Sequence, residues 1–146
     1  MVAVSRAYYT DKSWRVMQLR FMCKSKIHRA TVTTTDLNYV GSIVIDEDLM
    51  RRTDIFSGEK VSVWNVTNGE RVETYALPGL AGAGDIIING AAAHKFHEKD
   101  VVIIVAFVLA DEPVSPKMIS VDDRNAFLTD LVDNVKGERW ESRATA

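Results

Sequence analysis

The segment from residue 60 to residue 77, KVSVWNVTNGERVETYAL, has the pattern of a β-hairpin. At positions 61–64, valines alternate with a serine and a tryptophan, which is the period-two pattern of a strand with one buried face. The Asn-Gly pair at 68–69 favours a tight type I′ turn, because both residue types tolerate a positive φ. The segment therefore predicts two antiparallel strands, 60–66 and 70–77.

More short strands are predicted on both sides of this hairpin. They span residues 26–35, 42–46, 85–89 and the apolar run 101–110, VVIIVAFVLA. One or two helical turns are predicted at 48–55, and a turn or short helix at 90–97. The apolar run is rich in β-branched residues and falls short of the roughly 20 residues that a membrane-spanning helix needs. About six short strands with tight turns indicate a mainly β fold, a small closed barrel.

The two ends of the chain differ from this strand-rich middle. Residues 1–16 are predicted to be an N-terminal tail, with Met17 and Met22 as alternative starts. Residues 17–119 are predicted to form the barrel domain. The segment SVDDRNAFLTDLV, which starts at Ser120, has an N-cap residue, acids in the first turn and apolar residues at helical spacing. We therefore expect a peripheral C-terminal helix and a polar tail over residues 120–146.

Composition limits the class of protein and its partners. The 146 residues suit one domain, and 47% hydrophobic with 26% charged residues indicate a globular chain rather than a disordered one. A net charge of −2 gives no general attraction to nucleic acid or to an anionic membrane. The single cysteine, Cys23, excludes an internal disulfide and favours a reducing, cytoplasmic location.

Six stretches, taken together, resemble the pyruvoyl-dependent aspartate 1-decarboxylase family. They are KIHRATVT at 26–33, DLNYVGSIVID at 36–46, VWNVTNGER at 63–71, TYA at 74–76, INGAAAH at 88–94 and DVVIIVAF at 100–107. Their order and spacing match those of the family. The resemblance implies a six-stranded double-psi β-barrel, a homotetramer and a proenzyme that cleaves its own backbone.

The resemblance identifies the dipeptide Gly41-Ser42 as the cleavage site. Ser42 Oγ would attack the Gly41 carbonyl carbon and convert the amide into an ester. Glycine suits this position because it lacks a Cβ and can occupy strained backbone conformations. Elimination and hydrolysis would then leave a pyruvoyl group at position 42 and release ammonia. A β chain of residues 1–41 and an α chain of residues 42–146 would result.

The pyruvoyl group from Ser42 would form a Schiff base with the substrate amine and accept the electron pair left when CO2 departs. No metal and no other organic cofactor is implied. By the same resemblance, Tyr75 is the proton donor to the carbon that lost CO2. Thr74 supplies a hydroxyl beside the cleaved bond and the substrate. Because adjacent residues of a regular strand point to opposite faces, Thr74 and Tyr75 share a site only where the strand twists, bulges or ends.

L-Aspartate carries two carboxylates, and the resemblance assigns the cations that bind them to Arg71 and Lys26. A guanidinium can bind a carboxylate through two parallel hydrogen bonds. The sequence Asn89-Gly90-Ala91-Ala92 resembles the substrate loop of the family, where small residues let backbone N–H groups approach an anion. Three further residues, balanced against packing roles, are candidates for lining the site: His28, Tyr39 and Trp64.

Two other features are predicted to have no chemical role. His94 and His97 have the i, i+3 spacing of a helical metal site, but lysines flank them and no third ligand is evident. Cys23 has no motif around it and is predicted to be a half-buried strand residue.

The function implied is decarboxylation of L-aspartate to β-alanine, which feeds pantothenate and coenzyme A synthesis. One alternative is a barrel that binds nucleic acid, which the net charge and the lack of basic residues interleaved with aromatics disfavour. Another is a pyruvoyl decarboxylase acting on a different amino acid, which the pair Arg71 and Lys26 disfavours. The expected partners are L-aspartate and further copies of the chain, with neither nucleic acid nor membrane. Whether a maturation factor assists cleavage stays open.

Overall fold

The computed structural model describes residues 16–131, and these form a mainly β structure. The strands are β1 (Arg20–Thr31), β2 (Thr34–Asp36), β3 (Ile43–Asp46), β4 (Lys60–Asn65), β5 (Arg71–Gly79), β6 (Ile86–Asn89), β7 (Val101–Ala110), β8 (Lys117–Val121) and β9 (Phe127–Asp130). One α-helix, α1 (Glu47–Thr53), follows β3 directly, and a 3₁₀ helix (Gly90–Lys95) follows β6. In this part of the chain, no helix is long and apolar enough to cross a membrane.

The nine strands form one hydrogen-bonded series in the order β2-β6-β3-β5-β4-β7-β1-β8-β9. Three of the pairings, β2–β6, β3–β5 and β1–β8, are parallel. The remaining neighbours are antiparallel. As a result, β3, β5 and β6 are neighbours in the sheet although they are distant in sequence.

The core is built from the inward positions of these strands. Its side chains are mostly isoleucine and valine, whose branched shape packs well on a pleated surface. The largest fully buried side chains are Phe96, Ile27, Ile43, Ile45, Ile86, Ile88, Ile104, Ile119, Val32, Val61, Val63 and Val102. The alternation predicted for β4 is confirmed, since Val61 and Val63 are buried while Ser62 and Trp64 are only half-buried.

Asp46 joins the end of β3 to the loop that precedes β6. It is 3% exposed and is the N-cap of α1, where its Oδ1 accepts a hydrogen bond from Asp48 N. The same carboxylate accepts from Gly82 N at 3.0 Å and from Gly84 N at 2.7 Å. One buried side chain therefore fixes the helix start and the glycine-rich loop together.

Five of the six predicted strands are confirmed with small shifts of their ends, and 101–110 is confirmed as β7. The single strand predicted at 26–35 is wrong: the structure has β1, which begins at Arg20, and β2, because the chain changes its partner from β7 to β6. The helical turns predicted at 48–55 are α1, and the turn or short helix at 90–97 is the 3₁₀ helix. The type I′ turn is wrong. Gly69 has a φ of +82°, but Asn68 is not among the residues with positive φ, and the loop spans residues 66–70.

The predicted C-terminal helix is also wrong within the described residues. Residues 117–121 and 127–130 are strands, and β9 pairs with β8. Asp122 Oδ1 accepts hydrogen bonds from the backbone N–H groups of Arg124 and Ala126, both at 2.9 Å. Such bonds compete with helix formation, and Asn125 adds a left-handed φ of +60°. The polar side chains that suggested an N-cap therefore build a turn between two strands.

The predicted mainly β class is confirmed, but the described chain has nine strands where six were expected. Strands also continue beyond residue 119, where the barrel domain was predicted to end. The closed double-psi barrel stays a prediction. The predicted tail lies, except for Val16, outside the described residues, as does the polar tail after residue 131.

Candidate active site

The segment Gly41–Ser42 lies at the start of β3, between the ends of two neighbouring strands. Ile43, the first residue of β3, is paired with β5 on one side and with β6 on the other. Extending these two registers by one residue brings Ser42 level with Tyr75 and Asn89. The fold therefore brings together three candidate residues from separate parts of the sequence.

Ser42 is buried in an unusual backbone conformation. Its exposed fraction is 1% and its φ is +92°, a region that non-glycine residues adopt at an energetic cost. Asn89 contacts it twice, because Asn89 Nδ2 donates to Ser42 Oγ at 3.3 Å and Asn89 N donates to Ser42 O at 3.0 Å. The hydroxyl is thus held beside the strained Gly41–Ser42 peptide.

Gly90 packs its backbone directly against the same segment. A Cβ placed on Gly90 would lie 2.8 Å from Gly41 Cα, 2.9 Å from Gly41 N and 3.0 Å from Tyr39 O. Gly90 also has a φ of +69°. Both observations require glycine at position 90, and the close contact fixes where Gly41 lies.

Tyr75 and Thr74 reach this segment from the two faces of β5. Tyr75 is paired with the exposed Lys60, whereas Thr74 is half-buried and paired with the core residue Val61. A Cβ built on Gly41 would lie 4.0 Å from the Tyr75 hydroxyl oxygen. Tyr75 and Thr74 are level with Ser42 and Gly41, just before β3 begins. They can therefore approach the Gly41–Ser42 segment although they lie on opposite faces of β5.

A second group of candidate residues lies at the other end of β5. Trp64 and Arg71 form the last cross-strand pair of β4 and β5, and the guanidinium carbon is 4.7 Å from the tryptophan ring centroid. Arg71 is exposed and lies on the same face as Tyr75, four residues earlier. At about 3.3 Å per residue this separates the two backbones by about 13 Å.

Lys26 and His28 lie on β1, further across the sheet. Both are half-buried. His28 Nδ1 is buried without a hydrogen-bond partner, and burial together with the charges of Lys26 and Arg29 lowers the pKa of His28. The imidazole is therefore biased towards its neutral form.

Lys26 and His28 lie on a strand that is not adjacent to β3. Three strands, β5, β4 and β7, separate β3 from β1 in the hydrogen-bonded series. With about 4.8 Å between strands, the path along the sheet from Ser42 to the strand that carries Lys26 is about 19 Å. Strand pairing therefore groups Gly41, Ser42, Thr74, Tyr75 and Asn89 with Gly90, and it places Lys26 and His28 four strands along the sheet.

A cleft of about 330 Å³ lies on the sheet face formed by β5, β4, β7 and β1. It is lined by Phe21, Lys60, Ser62, Glu73 and Phe107. Lys60 Nζ pairs with Glu73 Oε2 at 2.9 Å, and the two phenylalanines are 76% and 41% exposed. The face beside Tyr75 is thus apolar at one side and carries a solvated ion pair at the other.

The remaining predicted residues have weaker connections to the site. Tyr39 is half exposed, and its carbonyl lies beside Gly90. Ala91 is exposed and Ala92 half-buried in the 3₁₀ helix that starts at Gly90. Most of the predicted substrate loop therefore lies in a short helix, and the first residue of this helix, Gly90, packs against Gly41.

Sequence analysis missed Asn65. It occupies an inward position of β4, in line with Val61 and Val63, and it is 2% exposed. The signal was present in the sequence, because the alternation of the strand requires an apolar residue at position 65. A polar side chain at such a position needs hydrogen-bond partners inside the protein.

His94 and His97 are exposed. Among residues 16–131, no three histidine, cysteine, aspartate or glutamate side chains are grouped so that they could hold a metal ion. Cys23 lies on β1 and is half-buried, as predicted.

The chain was compared with known proteins. The profile of the aspartate decarboxylase family matches residues 17–128. The chain is 47% identical over 127 residues to the aspartate 1-decarboxylase of Myxococcus xanthus, covering 84% of this chain and 98% of that protein. It is also 47% identical over 125 residues to the aspartate 1-decarboxylase of Moorella thermoacetica, covering 83% and 98%.

Proposed function

The chain belongs to the aspartate decarboxylase family, and we propose that it converts L-aspartate to β-alanine and CO2 after cutting its own backbone between Gly41 and Ser42. The match covers the segments that carry the candidate residues. The match covers 98% of the length of each of the two aspartate 1-decarboxylases named above. The residue roles that follow are part of the proposal.

The observation that carries the proposal is the geometry of Ser42. A buried serine with a φ of +92°, held by Asn89 and preceded by a glycine against which Gly90 packs, is a strained nucleophile next to the bond it would attack. Strain of this kind costs of order 1–3 kcal/mol and persists only where the surroundings impose it. Cleavage of the Gly41–Ser42 peptide would release it.

The cleavage uses only the chain and one water molecule. Ser42 Oγ attacks the Gly41 carbonyl carbon, the C–N bond breaks, and an ester replaces the amide. Loss of the Ser42 α-proton then expels the Gly41 carboxylate and leaves dehydroalanine at position 42. Water adds, ammonia leaves, and a ketone ends the α chain, which starts at residue 42.

The residues around position 42 fit a pyruvoyl group. Asn89 Nδ2 already points at Ser42 Oγ, and the side chain needs no added volume, since the group has no more heavy atoms than the serine it replaces. When present, the group supplies a carbonyl that condenses with the substrate amine and accepts an electron pair. No metal is part of the proposal.

Tyr75 is proposed to deliver the proton to the substrate carbon that loses CO2. Its hydroxyl oxygen lies 4.0 Å from a Cβ built on Gly41. A proton donor must lie within hydrogen-bond reach of the reacting atom in the substrate complex, and this position is compatible with that requirement. Thr74 and residues 89–92 are proposed to contact the substrate from the other side of the strand end.

Arg71 and Lys26 are proposed to bind the two carboxylates of aspartate. Arg71 is exposed on the face of β5 that carries Tyr75, with its guanidinium over Trp64. Along the sheet, Lys26 lies about 19 Å from β3. This separation supports an arrangement in which a second copy of the chain supplies Lys26, with His28 and Tyr39 as further lining residues.

Assembly into a homotetramer is part of the proposal. Exposed apolar side chains on the outer strand face support it, namely Phe21, Phe107 and Leu109. Large exposed apolar patches mark interaction surfaces in most soluble proteins. A cytoplasmic location is supported by the single cysteine. The product β-alanine would feed pantothenate synthesis, and a maturation factor would be needed only if the purified chain does not cleave by itself.

Intact mass spectrometry of the denatured, purified protein tests the proposal. We expect two species, residues 1–41 and residues 42–146, the larger lighter by one ammonia than a serine-ended fragment. The variant Ser42→Ala is the control and stays uncut. Incubation with L-aspartate is then expected to yield β-alanine. A chain that stays intact after prolonged incubation, alone and in a lysate of its host, would contradict the proposal.

A further inference from the structure

Asn65 uses every hydrogen-bonding group of its buried amide. Its Oδ1 accepts from Thr67 N at 2.9 Å and from Asn68 N at 3.4 Å. Its Nδ2 donates to Asp100 Oδ2 at 2.7 Å and to Lys95 O at 3.3 Å. The side chain thus organises the turn between β4 and β5 and ties this turn to two other segments.

Asp100 is the charged partner in this arrangement and is 7% exposed. Its Oδ2 also accepts from His97 N at 2.9 Å. Removing a hydrogen-bond donor from a buried carboxylate carries a large penalty, so the two side chains hold each other in place.

The turn has two further connections to the 3₁₀ helix. Asn68 Nδ2 donates to Lys95 O at 3.0 Å, and the Lys95 ammonium pairs with the Glu70 carboxylate. The last carbonyl of the 3₁₀ helix therefore accepts from two asparagines of the turn, Asn65 and Asn68. This end of the helix is fixed to the hairpin.

The other end of the same helix is fixed to the cleavage segment. It begins at Gly90, which packs on Gly41, and follows Asn89, which bonds to Ser42. Six residues of 3₁₀ helix extend about 12 Å. The helix thus connects the Gly41–Ser42 segment to the turn between β4 and β5, which follows Asn65 and ends directly before Arg71.

We propose that Asn65 and Asp100 form a buried positioning pair that sets where Arg71 lies relative to position 42, and thereby sets the affinity for the substrate. This inference rests on the proposed function. Neither side chain touches the substrate. Their effect passes through the turn to Arg71, so we expect a change in KM. Self-cleavage and kcat should change less, because the pairing of β6 with β3 holds Asn89 independently of the turn.

The first test is the substitution Asn65→Asp in the full-length chain. It places a second carboxylate against Asp100 Oδ2 and removes the donors to Asp100 and Lys95. We expect the chain to be cut normally and KM for aspartate to rise roughly tenfold or more, since misplacing a positioning group by about 1 Å costs up to about 100-fold.

The second test is the exchange Asn65→Asp together with Asp100→Asn. The exchanged pair restores one N–H···O bond and a single carboxylate, and the carboxylate at 65 still accepts from the turn, while the bonds to His97 N and Lys95 O are not restored. We expect KM to recover at least about threefold from the single variant, because residues in direct contact show strong coupling. A role limited to stability would not produce this recovery in KM.

Asn125→Asp is the matched control. Asn125 is also 2% exposed, and its Nδ2 donates to Thr31 O at 2.8 Å and to Gly84 O at 2.7 Å, away from the hairpin turn. It suffers the same chemical change and should lose stability without a rise in KM. If Asn65→Asp does not fold, the exposed variant Asn68→Ala replaces it, with a smaller rise in KM expected.

The inference is overturned if KM stays unchanged in the folded variant, if the exchange does not restore it, or if Asn125→Asp raises KM equally. Failure of the proposed function is distinguishable, since the parent protein itself would then show no cleavage or no β-alanine.

Discussion

Ser42 is a buried serine whose φ of +92° lies outside the region that non-glycine residues ordinarily adopt. The residues responsible are small ones. Gly41 has a φ of +109°, and Gly90 allows its backbone to touch that of Gly41. A larger residue at position 90 cannot make this contact, because a Cβ there would lie 2.8 Å from Gly41 Cα.

Gly90→Ala is predicted to block or strongly slow self-cleavage. The new Cβ would lie under 3.0 Å from two Gly41 atoms, so the Gly41 backbone must shift away from Gly90, which changes the geometry of the Gly41–Ser42 peptide. We expect the cleavage rate, followed by mass spectrometry after synthesis, to fall by about 100-fold, the cost of about 1 Å of misplacement.

Gly58→Ala is the control for this prediction. Gly58 has a φ of +82° and nothing within 4 Å of an added Cβ, so it tests the backbone strain alone. Normal cleavage in Gly90→Ala, or an equal loss in Gly58→Ala, would contradict the steric role of position 90.

Arg71→Ala is predicted to leave cleavage intact and to abolish turnover of aspartate. The guanidinium is exposed, stacks on Trp64 and does not contact the Gly41–Ser42 segment. We expect kcat/KM to fall by about 100-fold or more, since a charge-assisted pair with a carboxylate is lost. The kcat/KM of Arg71→Lys should lie between those of the parent and of Arg71→Ala, because lysine keeps the charge and loses the bidentate geometry.

Steady-state assays of β-alanine formation check this, with Arg51→Ala as the control. Arg51 forms only exposed ion pairs with Glu47 and Asp48 on α1. An unchanged kcat/KM in Arg71→Ala would remove Arg71 from the substrate site.

At the scale of elements, the carboxylate of Asp46 links β3, α1 and the loop that precedes β6. Asp46 closes β3, caps α1 and holds the loop before β6 through Gly82 and Gly84. Because the Gly41–Ser42 segment lies beside the start of β3 and the end of β6, Asp46 stabilises the strands next to it without a hydrogen bond to Gly41 or Ser42.

Asp46→Ala is predicted to lower the free energy of unfolding by about 2–4 kcal/mol, from a lost N-cap and buried N–H groups left without acceptors. The cleavage products should be the same two species. Denaturant unfolding compared with Asp48→Ala checks this, since Asp48 is exposed and bonds only at the surface. A loss below about 0.5 kcal/mol, the range of ordinary surface changes, would contradict the structural role.

Elements also show where local patterns mislead. Residues 120–130 carry a good helix-start pattern, yet Asp122 uses its side chain for a turn, Asn125 bonds to the distant Thr31, and β9 pairs with β8. Local hydrogen bonds and long-range ladder bonds outweigh a propensity worth only tenths of a kcal/mol per residue.

At the scale of the whole molecule, the strand face that carries Arg71, Trp64 and Lys26 is open in a single chain. Exposed apolar side chains interrupt it, and its cleft holds Phe21 and Phe107. Such a surface is costly to leave in water and suits contact between copies of the chain.

Phe107→Asp is predicted to reduce the proposed tetramer to smaller species. The substitution replaces an exposed phenyl ring of the cleft with a carboxylate that must lose its hydration on association, and the Lys60 ammonium of the same cleft is already paired with Glu73. Light scattering coupled to size-exclusion chromatography measures the result. Leu80→Asp is the control, since Leu80 is 76% exposed on the loop after β5. A Phe107→Asp protein of unchanged mass would place the interface elsewhere.

The sequence by itself determined the mainly β class, most strand positions and the candidate residues. Alternating valines and turn residues are local signals, and the motifs around Gly41–Ser42, Arg71 and Tyr75 are short. Only the tertiary structure decided which of these residues meet. The parallel pairing of β3 with β5 and its antiparallel pairing with β6 bring Ser42 level with Tyr75 and Asn89. Strand order is set by the burial of all strands together, and for that reason no local pattern could show that Lys26 lies four strands from Ser42.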